Sequence, residues 1–197
     1  QLDFIFEYPV PDTEELKDYL TNGSQGGALQ KALALPMLAG ARNDILDPSI
    51  SLAYPSTEPI ELHHIYPKNW CRNNRSGELA NLLDPQKAGR DLINSTANMM
   101  PLSRTSNNAW RDANPAQFIE AKRLSFASLQ KTLQPIFIDD DCFKFLALGA
   151  SGMASFWDRR AVLMASDWIR RTTVSFYVRH VAGGISEASR PYWCRPI

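Results

Sequence analysis

The chain has 197 residues, of which 44% are hydrophobic, 21% charged and 10% aromatic, and its formal net charge is zero. This composition supports one large or two small domains around a buried core, and it excludes wholesale disorder and collagen-like structure. No apolar run reaches the roughly 18 to 20 residues that a spanning helix needs, because charged side chains interrupt each one, so no membrane partner is expected.

The neutral total conceals an asymmetry. Residues 1–61 carry ten acidic and three basic side chains, a net of −7, while residues 62–197 carry eighteen basic and eleven acidic, a net of +7. A polyanion partner for the basic part, a protein partner or upstream chain for the acidic part, and neutralisation of one by the other all fit these numbers. The sequence opens at Gln1 without a basic start and an apolar stretch behind it, so no signal peptide is visible and the chain reads as a piece of a larger protein. Cys71, Cys142 and Cys194 are odd in number and far apart. That argues against a disulfide framework or a paired-cysteine zinc site and fits a reducing, cytoplasmic setting.

In chain order, Leu2–Glu7 has the pattern of a strand, broken by Pro9 and Pro11. Asp12 or Thr13 caps a short acidic helix through Leu16 and Leu20, because its side-chain oxygen accepts an otherwise orphaned N–H of the first turn. Asn22–Gly27 is a turn. A helix from Ala28 then carries Leu29, Leu33 and Leu38 on one side, with Pro36 to kink or end it. Pro48, Pro55 and Pro59 punctuate short apolar pieces, which favours short strands and loops, the last being a strand from Ile60 to the histidines. The polar stretch after Pro67, with Asn73–Gly77, reads as an exposed loop.

Residues 86–94 suit a short helix, Ala97–Pro101 a second strand, and Ser103 or Thr105 the start of a helix through Trp110. Asn114 followed by Pro115 opens a helix expected to run to about Leu133. Asp139–Asp141 cap another. Ser155 to about Val181 forms a long amphipathic helix with Trp157, Leu163, Trp168 and Val174 near one face, ended by Gly183 and Gly184 before a tail rich in Arg, Pro and aromatics. The expected class is α+β, mostly helical, with a lead-in over 1–27, a core over 58–112 and C-terminal helices over 114–182.

His63 and His64 are two of only three histidines. Metal-assisted phosphodiester hydrolysis needs a base to activate water, and a divalent cation held with open coordination positions. His64 suits the base and His63 a ligand, with Asn107 offering a carboxamide oxygen as a second ligand. Adjacent strand residues face opposite ways, so both histidines serve one site only if the strand ends or bends there. Glu61 shares the His63 face and reads as a further ligand or as the partner of a nearby arginine.

The string ELHHIYPKNW, followed by Asn98 and by Asn107 nine residues later, resembles the HNH (ββα-metal) endonucleases. The wider series HHIYPK, INSTANMMPLSRTSN, NPAQF and FWDRR resembles, over roughly residues 28–170, the C-terminal nuclease domain of GmrSD-like and SspE-like restriction and phage-defence proteins. The resemblance implies a ββα-metal motif wrapped by helices. It implies His64 as general base, Asn98 as the residue that pins the hairpin loop, and His63 with Asn107 as ligands of a divalent cation. Mg²⁺ or Mn²⁺ is expected first, and Zn²⁺ or Ni²⁺ also suit an imidazole ligand.

It further implies DNA as substrate and an upstream nucleotide-hydrolysing domain of the DUF262 type as partner. Lys68, Arg72, Arg75, Arg104 and Arg111 fall near the site in sequence and are candidates for phosphate contacts. Arg159 and Arg160 suit either an acidic partner or DNA. Two rival readings stand beside the nuclease. One is a nucleic-acid-binding or regulatory module that keeps the motif as structure only, and the other is a nuclease of different purpose, such as a toxin or an RNA-cutting enzyme.

Overall fold

The computed structural model describes residues 11–23, 27–53 and 55–181. The strand expected at Leu2–Glu7, the Gly183–Gly184 stop, the C-terminal tail and Cys194 lie outside them. Within them the fold is α+β and predominantly helical, with one two-stranded antiparallel sheet.

Helix α1 (Thr13–Leu20) starts where Asp12 Oδ1 accepts from the Glu15 N–H at 2.9 Å while the Glu15 carboxylate accepts from the Asp12 N–H, a reciprocal capping box. Its Leu16 and Leu20 are buried. Helix α2 (Gly27–Gly40) runs four residues past Pro36 instead of ending there. Pro36 is itself buried beside Leu33, Ala34 and Met37, so tertiary burial offsets the backbone bond it removes. Of the residues expected on one side, Leu33 is buried and Leu29 is exposed.

Strand β1 (Ile60–His64) pairs with β2 (Met99–Ser103) in a register that sets His63 opposite Met100 and His64 opposite Met99. The chain between them is not one loop. Helix α3 (Lys68–Asn73) occupies the first part of the stretch expected to be loop, and α4 (Leu79–Leu82) and α5 (Pro85–Ala88) follow. Cys71 of α3 is fully buried, and the Trp70 ring lies 6.3 Å from that of Tyr66, so side-chain burial fixes a helix that polar composition does not announce. The helix expected over 86–94 stops at Ala88, before Gly89 in the left-handed region (φ 69°).

Ser103 caps α6 (Arg104–Trp110), its Oγ accepting from the Ser106 N–H at 3.1 Å. The single helix expected from Asn114 to Leu133 is two: α7 (Pro115–Lys122) and α8 (Phe126–Leu133). Arg123 breaks them at φ 52°, and Ser125 caps the second. The break lets Phe118 stack on Trp110, centroids 4.2 Å apart, while Leu129 and Leu133 turn inward. Helix α9 (Asp140–Ala147), capped by Asp139, precedes the 29-residue α10 (Met153–Val181). On α10, Met153, Phe156, Trp157, Arg160, Ala161, Met164 and Ala165 are buried at helical spacing, with Leu163 and Trp168 packed at the margin. The side chain of Val174 lies outside the described residues.

One connected hydrophobic cluster extends from Leu16 to Ala165. At its centre Arg160 is fully buried and donates to the carbonyls of Ala97 (2.9 Å), Met99 (2.6 Å) and Ile136 (3.0 Å), which answers the expectation of an acidic partner or DNA with backbone instead. Arg159 pairs with Asp139 at 2.6 Å. Cys71 and Cys142 are free and buried. Among the described residues, no helix is long and apolar enough to cross a membrane.

Candidate functional site

Strand β1 ends at His64 because the chain turns away at Ile65, whose N–H donates to the Asn98 carbonyl at 2.8 Å. The Asn98 side chain, fully buried, then holds the turn. Its Oδ1 accepts from the Tyr66 N–H (3.0 Å) and from Trp157 Nε1 (3.1 Å), and its Nδ2 donates to the carbonyls of Tyr66 (3.1 Å) and Ile93 (2.8 Å). All four capacities of one carboxamide are thereby met, three of them by backbone on both sides of the hairpin connection.

Glu61 and His63 share a face of β1. Helix α6 lays Asn107 across both: Asn107 Nδ2 donates to Glu61, and Asn107 Oδ1 meets His63 Nδ1 at 2.6 Å. Because a carboxylate only accepts, the amide orientation is fixed, and Nδ1 is the protonated nitrogen of His63. Arg104 Nε also donates to Glu61 at 2.9 Å, so Glu61 takes the arginine partner rather than standing open as a ligand. The hydrogen bond from Arg104, then that from Asn107, holds the Glu61 carboxyl below its usual pKa.

His63 is 5% exposed and lies 5.2 Å from Trp110 between ring centroids. Burial pushes its pKa down to about 4 against the raising influence of Asn107, so the ring is neutral at neutral pH. His64 is half-buried, and its pKa is lowered by burial and then by the charge of Lys68, with Asn94 and Asp91 opposing. Both histidines, with Leu62, Pro67, Lys68, Asn69, Asn107, Arg111 and Asp112, line one open cleft of about 340 Å³.

Of the basic candidates, Lys68 and Arg111 reach this cleft, and Arg104 is tied to Glu61 beside it. Arg72 and Arg75 are exposed on and just after α3 and do not line it. Among the described residues no group of three or more His, Cys, Asp or Glu gathers as a metal cluster. The cleft, which His64 and the Asp112 carboxylate also line, offers a cation at the His63–Asn107 pair one imidazole nitrogen and one carboxamide oxygen. That donor pair fits Mn²⁺, Ni²⁺ or Zn²⁺ better than Mg²⁺ and leaves most positions open. Ligation through Nδ1 moves the His63 proton to Nε2, which is buried without a partner.

Three supporting residues escape the sequence reading. Asp44 is fully buried, and its carboxylate accepts from the Ser103 N–H (2.7 Å) and the Ser106 hydroxyl (2.5 Å), which seats the first turn of the helix bearing Asn107. Asn94 and Asp91 stand behind His64, with His64 Nε2 and Asn94 Oδ1 3.3 Å apart. Their only sequence signal is the short Asp-to-Asn spacing of a local side-chain turn. Comparison of the chain with protein-family models, with curated proteins and with solved structures finds no match.

Proposed function

We propose that this chain is a divalent-cation-dependent DNA endonuclease, the effector part of a bacterial anti-phage restriction system. It works in the cytoplasm together with an upstream nucleotide-hydrolysing domain of the DUF262 type. The observation that carries the reading is the meeting of His63 and Asn107 at 2.6 Å, from elements 44 residues apart, on a cleft that His64 also lines. The resemblance to HNH endonucleases in the order His-Asn-Asn supports it from the sequence side.

In this reading His64 takes the proton of the attacking water, which a neutral ring can do at neutral pH. Lys68 and Arg111 at the rim bind the phosphate backbone on either side of the scissile bond. Asn98 keeps the His64 strand end in place relative to β2. His63 and Asn107 would hold the cation, whose chemistry there would be to stabilise negative charge on the phosphate and the leaving oxygen.

Plasmid cleavage across a series of Mg²⁺, Mn²⁺, Ni²⁺ and Zn²⁺, with an RNA substrate alongside, tests the reading. Cutting of DNA should require added cation, stop in excess EDTA and fall by about 100- to 10,000-fold in a folded His64→Ala variant. Undiminished cutting in EDTA or by His64→Ala would overturn it, and cutting of RNA alone would reassign the substrate.

A further inference from the structure

The connection before β2 contains a hydrogen-bonded chain that ends on His64. Asp91 commits both carboxylate oxygens to one residue: Oδ1 accepts from the Asn94 N–H at 3.1 Å, and Oδ2 accepts from Asn94 Nδ2 at 2.6 Å. A carboxylate accepts and cannot donate, so the Asn94 amide must present Nδ2 to Asp91 and Oδ1 to His64. Oδ1 in turn can only accept, so the imidazole nitrogen 3.3 Å from it, Nε2, must carry the proton. A neutral imidazole has one N–H, and the lone pair is therefore on Nδ1, which has no hydrogen-bond partner among the described residues.

The chain is anchored from two further elements. The Asp91 N–H donates to Asn22 Oδ1 at 3.1 Å, and the Gly23 N–H donates to the Asp91 carbonyl at 2.8 Å. Gln30 of α2 donates to the Asn94 carbonyl. Gly23 packs so tightly on Asn94 that a Cβ there would fall 2.3 Å from the Asn94 carbonyl carbon. Asn94 itself does not line the cleft, whereas His64 does. The acceptor thus lies outside the cleft that His64 lines.

From this geometry we infer that Asp91 and Asn94 are positioning residues that fix the orientation and tautomer of His64, leaving its Nδ1 lone pair as the group that accepts a proton. The inference rests on the nuclease reading for its catalytic consequence, while the tautomer itself is observable without any activity. Nitrogen-detected or long-range ¹H–¹⁵N NMR of the metal-free chain, with His64 assigned by its loss in His64→Ala, should find His64 protonated at Nε2. In Asp91→Asn the carboxamide at position 91 can donate as well as accept. The amide of Asn94 is then free to flip, and the tautomers should mix while the fold, read by circular dichroism, is kept.

In cleavage assays Asn94→Ala should lower kcat by about 100-fold, the scale on which misplacing a reacting group acts, with KM unchanged. It should cause no further loss in a His64→Ala background, because a residue acting through His64 has nothing left to act on. A chain that cuts nothing with any cation overturns the nuclease reading, and the tautomer result then decides the positioning chain separately. Wild-type His64 protonated at Nδ1, or an Asn94→Ala loss that multiplies with that of His64→Ala, would overturn the inference.

Discussion

His63 is a histidine kept neutral by its surroundings, and that has a consequence for stability. Its folded pKa of about 4 lies below the roughly 6.5 of an unfolded chain. Between those values the unfolded state binds more protons, so stability rises with pH through that window and is lost as pH falls through it. The full effect is about 3 kcal/mol. Denaturant unfolding of the EDTA-treated chain at pH 7 and near pH 4.5 should therefore differ, and the difference should shrink in His63→Gln. Parallel pH dependences for the two proteins would remove His63 as the cause. The Nδ1 proton that donates to Asn107 has the further effect of tying the histidine to α6, so the same substitution should loosen Asn107.

At the scale of elements, the five residue pairs of the hairpin are joined by Asn98, whose side chain ties both ends of its connection. Asn98→Ala leaves the Tyr66 N–H, the carbonyls of Tyr66 and Ile93 and Trp157 Nε1 without their partner in a buried setting. At about 1 to 3 kcal/mol for each such group, partly relieved by relaxation, the loss should exceed about 3 kcal/mol. Asn98→Asp keeps the two acceptor roles and forfeits the two donor roles, so it should melt between alanine and wild type. Should Asn98→Ala melt with the wild type, the connection would have to be held by something else. The same element logic explains α6: Ser103 caps it, but Asp44, from a loop some 60 residues earlier, holds its first turn at the end of β2.

For the whole molecule, the charge asymmetry does not translate into one basic face at the cleft. Arg104 is neutralised by Glu61, and Lys17 from the acidic part bridges to Asp158 of α10 at 3.3 Å. Lys68 and Arg111 remain as the cations that border the cleft. If duplex DNA occupies it, neutralising both should flatten the slope of log K against log salt by about 1.8, since each phosphate contact contributes about 0.9. Arg104→Gln should change the slope much less. Filter-binding or anisotropy titrations across salt would reverse this assignment if Arg104→Gln had the larger effect.

Features that depend on a few neighbouring residues were legible along the chain. The caps at Asp12, Ser103, Asn114 and Asp139 each close a hydrogen bond no more than three positions along the chain, so composition and spacing reveal them. The strand ending at the histidine pair was legible for the same reason, from its alternation and its flanking prolines. That α3 is a helix, that Pro36 sits inside one, and that 115–133 breaks at Arg123 came from folding, because packing against distant side chains outweighs local preference there. Folding also decided the surroundings of the histidines. Asp44, Asp91, Asn94 and Arg160 look like ordinary loop or surface polar residues along the chain. Their bonds to Ser103, His64 and the Ala97 carbonyl cross 30 to 63 residues of sequence, or depend on a residue whose own bond does, and only folding brings those partners within reach.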